Sequence, residues 1–579
     1  MGCGKKLDAS GRPCGAKVIT LLLLLLAQSL IAFPKDTSSV QERILAVKAL
    51  YDAKRWDDVI AATQDAPPNP ADFGLYRGLA LAHLQRWDES QKAFQATLAR
   101  KPFDPRLMNE LAGLAYRQKD FKDAKKYLRR ALAIEPENDY ANNFLASIYL
   151  LEGNLEAALK YWNRIAKPKL SDLSFQPQPK LNPILLDRAF QFSRGGVWRS
   201  SDFLTTSARL NALGAFQAQH FDLEENADET FDLNFRSAEK SGWTASPWTW
   251  LANLASGLPY QTVYAEFPEL NRDALQWNSS VRWDDQKRRI SSEIAAPWKD
   301  NPAWHSRIYF DLRNENWNLA NTLLPATPTQ AAVNLEKASA GLEIVSIESG
   351  RWSWSTGPVF SYRRMRNPLG LPPASAPFFT GGSNLALQAS VKRALVRYPE
   401  RRFTMDANVR GEAGTFFNTP LGRYSKLQGD LDSQWFPRAR SDDYELRAQL
   451  RAGGTFGNVP FDELYVLGFD RDTDLWMRGH PGLLSGQKGN APLGREYVLA
   501  NVEMDKIVYT APFVAFRLGP FLDTGKTYDP SRYFGAPQWM WDSGVQLKIL
   551  VLGSFEFVLG YGKDLRSGKN SFFTTVVSH

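Results

Sequence analysis

Residues 463–482 read ELYVLGFDRDTDLWMRGHPG, residues 494–505 read GREYVLANVEMD, and residues 516–528 read FRLGPFLDTGKTY. The second and third stretches alternate. Val498, Ala500, Val502 and Met504 share one face, which puts Glu503 on the other. Val514, Phe516 and Leu518 share one face of the next stretch, which puts Asp523 on the other together with Arg517. Successive side chains of a strand point to opposite sides, so each stretch is a strand with one greasy and one polar face. The first stretch has no such period and reads as a long loop.

The same pattern fills the chain from about residue 245 onward. Phe403, Met405, Ala407 and Val409 alternate with Thr404, Asp406, Asn408 and Arg410. Tyr444, Leu446, Ala448 and Leu450 alternate with charged or polar residues, as do Ile308, Phe310 and Leu312. Each run extends to about ten residues, the length that crosses a bilayer at a tilt. Roughly sixteen such strands are expected. Alternation alone also suits a soluble sandwich. Bulky aromatics near strand ends (Trp277, Trp283, Trp298, Trp304, Trp317) suit a membrane girdle, and the chain holds 18 Trp, 20 Tyr and 34 Phe. The expected architecture is therefore a transmembrane antiparallel β-barrel over residues 245–579, apolar side to lipid and polar side to a wet lumen.

The 463–528 block resembles the long loop and following strands of the BamA/TamA and two-partner-secretion superfamily of outer-membrane barrels. In that family the loop tip carries Arg-Gly-aromatic and folds back into the lumen. Here the triplet is Arg478-Gly479-His480, with histidine where the family has Phe or Tyr. The resemblance implies that Arg478 meets acids on the inner wall of the next two strands, at positions matching Glu503 and Asp523. The parity of both strands independently turns these carboxylates away from lipid. A guanidinium in a poorly hydrated space needs such partners, and its planar fork engages carboxylates bidentately. Gly479 is expected to let the tip turn tightly.

The N-terminal third has a different period. Trp87, Phe121 and Leu155 recur every 34 residues, as do Gly78, Ala112 and Ala146, then Ser90, Ala124 and Ala158, and Pro102 and Pro136. A unit of this length is a helix–turn–helix pair that must stack on its neighbours. Residues 40–168 resemble tetratricopeptide repeats. They could form a groove for a periplasmic protein partner or serve as a rigid spacer, and the pattern names no ligand.

Residues 169–180 are rich in Pro, Ser and Lys and read as a linker. After them, residues 181–242 predict strand–helix–strand–strand. Ser200 or Ser201 is expected to cap the helix, Phe203, Leu210 and Leu213 to form its stripe, and Gly214 to stop it. This order resembles a polypeptide-transport-associated (POTRA) domain, which implies binding of extended polypeptide at a sheet edge or a purely structural adaptor role.

The basic stretch before Val18 and the apolar run VITLLLLLLAQSLI, residues 18–31, read as a secretory signal peptide over residues 1–32, with cleavage after Ser29 or after Ala32. Either cut removes Cys3 and Cys14 and leaves no thiol. Net charge is +8, with four basic residues against Asp8 in the first 32, and no basic run suggests nucleic acid. The five histidines are scattered without metal spacing, and GPFLDTGKT has one residue too many for a phosphate loop. No enzyme, cofactor or metal is expected.

The implied function is translocation or barrel assembly of unfolded or extended polypeptide at the bacterial outer membrane, with the N-terminal domains in the periplasm. Two rivals use the same parts: an exporter of polysaccharide or surface lipoprotein, and a membrane-anchored scaffold or adhesin without transport activity.

Overall fold

The computed structural model describes residues 36–65, 70–240, 257–323, 330–417, 419–551 and 555–578. The expected signal peptide lies outside them. The described residues form two compact units, which divide between Leu145 and Ala146.

The first unit is helical. Its helices are α1 (Asp36–Asp52), α2 (Trp56–Ala62), α3 (Asp72–His83), α4 (Trp87–Arg100), α5 (Pro105–Arg117), α6 (Phe121–Ile134) and the start of α7 (Asp139–Leu151). The sequence period explains their limits. α4 and α6 stop two residues before Pro102 and Pro136, where the proline ring bars further helix. Asp104 and Asp120 cap α5 and α6 by accepting from the backbone N–H of Arg106 and Asp123. Small residues sit where helices approach: Ala112 and Ala124 are wholly buried, and the Ser90 hydroxyl donates to the Gly78 carbonyl at 2.7 Å. Phe94 fills the space between α3, α4 and α5 with no exposed surface.

The second unit begins with the end of α7 and α8 (Leu155–Trp162), then a small α/β layer: β1 (Leu170–Gln176), α9 (Pro183–Ala189), α10 (Ser200–Leu213), β2 (Phe216–Glu225) and β3 (Phe231–Glu239). The sheet order is β1-β3-β2, with β1 parallel and β2 antiparallel to β3. Two expectations are corrected. The stretch 169–180 is no linker, because Leu170–Gln176 pairs with β3 some sixty residues downstream, a partner that local composition cannot reveal. The cap of α10 is Arg199, whose backbone N–H donates to Asp202, and neither Ser200 nor Ser201 precedes the helix. Gly214 does end α10, at a left-handed φ of 63°. Leu185, Leu210, Leu213 and Phe235 make the core of this layer.

The remaining strands are β4 (Thr262–Phe267), β5 (Gln276–Trp283), β6 (Lys287–Trp298), β7 (Asn301–Asn318), β8 (Ala332–Ser349), β9 (Trp352–Leu369), β10 (Gly382–Tyr398), β11 (Phe403–Phe417), β12 (Arg423–Trp435), β13 (Tyr444–Gly457), the two-residue strands β14 (Tyr465–Val466), β15 (Leu483–Leu484), β16 (Gln487–Lys488) and β17 (Leu493–Gly494), then β18 (Glu496–Ala511), β19 (Val514–Tyr528), β20 (Met540–Val551), β21 (Phe555–Asp564) and β22 (Asn570–Ser578). Seventeen of them form one barrel sheet, to which the loop contributes β15 and β16. The long strands follow one another as an antiparallel meander, and β13 pairs directly with β18 across the intervening loop. The ladder runs unbroken from β4 to β22. In the sheet order β22 lies beside β4.

The wall obeys parity. Ile294, Ile308, Leu342, Phe360, Leu387, Val502 and Leu518 are exposed on the outside, while Arg363, Glu445, Asp523 and Asp542 are buried inside. An apolar exterior over a charged interior is a soluble protein turned inside out, and suits a lipid-facing wall. Four of the five tryptophans expected in a girdle are outward and exposed. Trp317 is not: it is 7 % exposed and packs edge-on against Phe461 beneath the loop.

The two rims differ. One has tight turns and meets helices: the Gly350 N–H donates to Thr205 of α10, Arg188 of α9 donates to the carbonyls of Lys299 and Asp300, and Arg397 forks onto Glu156 of α8 at 2.9 and 3.0 Å. The other rim carries the long loops, which bury Leu319, Phe378, Phe416, Phe461, Leu493 and Phe534 in an apolar cap.

Phe94→Ala opens a cavity in the repeat core that its rigid neighbours cannot fill, and is expected to cost about 3–5 kcal/mol. Thermal loss of the helical circular-dichroism signal in the full chain should move to lower temperature while the β signal persists.

Candidate functional site

The loop between β13 and β18 enters the barrel, and its tip lies against β18–β22. Arg478 is 5 % exposed. Its Nε and Nη2 donate to the two oxygens of Asp523 at 2.9 and 2.6 Å, the bidentate fork that a lysine cannot make. Its Nη1 donates to Glu503 at 2.9 Å and to the Gln546 side-chain oxygen at 3.0 Å. Its backbone N–H also reaches Asp523, at 3.0 Å. The structure thus brings Arg478, Glu503 and Asp523 together, from a loop and two adjoining strands.

Further groups complete the charge balance. Lys548 on β20 donates to Glu503 at 2.9 Å and to Asp505 at 2.6 Å, so each acid near Arg478 has its own partner. Asn501 donates to Asp523 at 2.7 Å. The Phe521 ring lies 3.9 Å under the guanidinium carbon. A stacked aromatic beside Arg478 therefore comes from β19, not from the tip triplet.

Gly479 and His480 have roles different from those expected. Gly479 is not in the left-handed region. It is needed because its N–H donates to Asp542 at 2.6 Å and a Cβ there would come within 2.6 Å of that carboxyl carbon and 2.8 Å of the Asp564 nitrogen. His480 lies between two acids, with Nδ1 2.9 Å from Asp542 and Nε2 3.6 Å from Asp564. Burial disfavours the charged ring, but the hydrogen bond and charge of Asp542, with Asp564 behind it, outweigh this and raise its pKa above the usual 6.5. Asp542, Gln546, Lys548 and Asp564 were not singled out from sequence. The available signal was parity: Asp542, Gln546 and Lys548 alternate with the outward Trp541 and Val545 in MWDSGVQLKIL.

The rest of the loop is fastened around the wall. Glu463 takes Lys337 of β8, Arg363 of β9 and Lys426 of β12 at 2.8, 2.6 and 2.8 Å. Lys488 meets Glu315 of β7 at 2.8 Å. Beside the loop remains a polar cavity of about 540 Å³ whose walls include Glu266, Arg289, Glu293, Arg307, Asp311 and Glu412. Charges of both signs give it no single-ion character. His480, Asp542 and Asp564 lie close enough to share a cation, but the imidazole nitrogens are each engaged by a carboxylate, which is the geometry of a charged ring between two acids.

Arg478→Lys removes the fork and leaves Asp523 under-neutralised, and Arg478→Ala strands both acids at a cost of about 3–5 kcal/mol. Heat-modifiable gel migration and protease access to the loop should show a graded loss, Ala worse than Lys. The raised His480 pKa means its ion pairs contribute fully below about pH 6.5 and are lost as pH rises through the folded value. Loop protection should therefore fall as pH rises above the usual histidine value, and His480→Phe should flatten that dependence.

Tetratricopeptide repeat families match residues 75–139 and 115–172. Among curated proteins no sequence matches the chain. Solved structures with similarity include BamA from Haemophilus ducreyi lacking POTRA domains 1–3, at TM-score 0.41 and 12 % identity over 71 % of this chain and 84 % of that one. CdiB from Escherichia coli gives TM-score 0.47 and 11 % identity over 71 % and 75 %. CdiB from Acinetobacter baumannii gives 0.43 and 12 % over 83 % and 86 %. The chain joins tetratricopeptide repeats to a β-barrel similar to those of BamA and CdiB.

Proposed function

We propose that the chain is an outer-membrane factor that moves or inserts polypeptide, with residues 1–32 as its signal peptide and the repeats and the α/β layer in the periplasm. The observation that carries this reading is the Arg478 tip held by Glu503 and Asp523 inside a lipid-facing wall. The loop motif is the feature shared with the assembly and secretion barrels that the sequence resembles. In this reading residues 170–239 act as a POTRA-like domain. Its sheet has β1 and β2 as edges, and an edge strand offers unpaired N–H and C=O groups to an extended chain. The tight-turn rim, which meets α8, α9 and α10, faces the periplasm, and the loop rim faces outward. Arg478 acts by holding the loop and takes no part in bond chemistry. The outer-membrane bilayer and an unfolded polypeptide are the two partners, and no cofactor is involved.

Depletion followed by quantitative proteomics of the outer membrane and medium should show a defined set of proteins lost from one of them. Wild type should restore that set and Arg478→Ala should not. Unchanged proteomes, with loss confined to surface glycan, would favour the polysaccharide exporter instead.

A further inference from the structure

The first helices of successive repeat pairs, α1, α3, α5 and the start of α7, line up side by side. The Tyr51 ring of α1 lies 5.5 Å from Tyr76 of α3, Arg106 of α5 meets Asp72 of α3 at 2.9 Å, and Tyr116 of α5 lies 5.3 Å from Phe144 of α7. Rings from several of these helices gather here. Tyr51 is fixed by Trp56, edge-on at 5.0 Å, and by its hydroxyl against His83 Nε2 at 3.2 Å. Tyr140 of α7 packs edge-on against Phe144 at 5.8 Å and keeps 58 % of its surface exposed.

Glu110 of α5 stands among these rings. It is half-buried, and among the described residues its carboxylate has no hydrogen bond and no ion pair. Arg106, one turn back on the same helix, is engaged by Asp72 and Asp104, each at 2.9 Å. Burial alone pushes the Glu110 carboxyl above its ordinary value, with no cation of the described chain opposing it. The Tyr51 and Tyr140 hydroxyls are raised by burial first and by the Glu110 charge next, so Glu110 lies near both α1 and α7. Asp52 adds to the effect on Tyr51. Burial, then Asp72 and Asp52, raise Tyr76, with Arg106 opposing. The field over this face is therefore negative, on a chain whose net charge is +8. Almost one turn beyond Glu110, a Cβ built on Gly113 would meet nothing within 4 Å, so the helix is uncovered there.

A carboxylate that gives up water is ordinarily paired. Glu110 gives up water and receives no cation from its own chain, and tyrosine rings nearby offer electron-rich faces to one. An acid flanked by tyrosines is the chemistry that receives an ammonium or guanidinium group. We propose that this face of the repeats docks an extended polypeptide, one of whose lysine or arginine side chains seats on Glu110 between Tyr51 and Tyr140. The site goes beyond the transport reading: it gives the repeats a ligand of stated charge, and its binding is measured without any transport.

The test uses the full chain in bilayer discs of zwitterionic phospholipid, which leave both faces accessible and do not attract basic peptides. Short fluorescent Gly/Ser peptides carrying lysines, glutamates or neutral norleucines are titrated by anisotropy at low salt. The lysine peptide should bind and the other two should not. Glu110→Gln keeps the side-chain shape, removes the charge and should weaken the lysine peptide about tenfold or more. No pair within the chain is broken, so the helical circular-dichroism transition should stay where it is or rise. Tyr140→Ala removes an exposed ring, leaves the fold intact and should weaken binding about threefold or more. Glu89→Gln, an exposed acid of α4 paired with Arg86, should leave binding unchanged. A parent that ignores the lysine peptide, or binds the neutral peptide as well, overturns the site, and so does Glu110→Gln that binds as the parent does. Binding that depends on Glu110 in a protein whose depletion leaves the proteomes unchanged would keep the site and remove the transport reading. Altered proteomes without such binding would do the reverse.

Discussion

Burying the Arg478 guanidinium dictates the arrangement of one whole side of the barrel. A cation 5 % exposed must be neutralised in place, and the neutralising acids must themselves be balanced. Asp523 takes the fork, Glu503 takes the remaining edge, and Lys548 supplies the positive charge that Glu503 and Asp505 would otherwise lack. These residues come from a loop and three adjoining strands, so the network exists only when the strands are in register. Sliding β19 by one residue would turn Asp523 to lipid and leave the cation facing Leu522. The ion cluster and the strand register therefore specify one another.

The same loop has three holds of different character. The tip is fixed by the Arg478 cluster on β18–β20, the base by Glu463 among three cations on β8, β9 and β12, and the middle by Asp472 and Lys488 on β5 to β7. An apolar cap around Phe461 covers the base. The lumen is thus occupied by an element braced to the wall, and the cavity left beside it is polar and of mixed charge.

Much of this was legible from strand parity. Period two in 498–504 and 514–518 put Glu503 and Asp523 inside, and that is where they lie. The partners that sequence reading passed over, Asp542, Gln546 and Asp564, obey the same parity, but nothing local marks which loop group they face. The His480 position shows the limit of motif matching: the aromatic contact beside Arg478 is made by Phe521, forty-three residues away in sequence. The repeats were readable because their contacts recur at a fixed spacing, and β1 was not, because its partner strand is far along the chain. Trp317 looked like a girdle residue on residue type alone, yet its inward parity places it beneath the loop.

Because the loop is secured by ions more than by grease, dissolved electrolyte becomes a mechanical variable. The Lys337 and Arg289 side chains retain 20 % and 25 % of their surface, and counterions can compete there. The dry Arg478–Asp523 pair is shielded from such competition. Rising ionic strength should slacken the periphery before the centre, letting the hairpin flex about a tip that stays anchored.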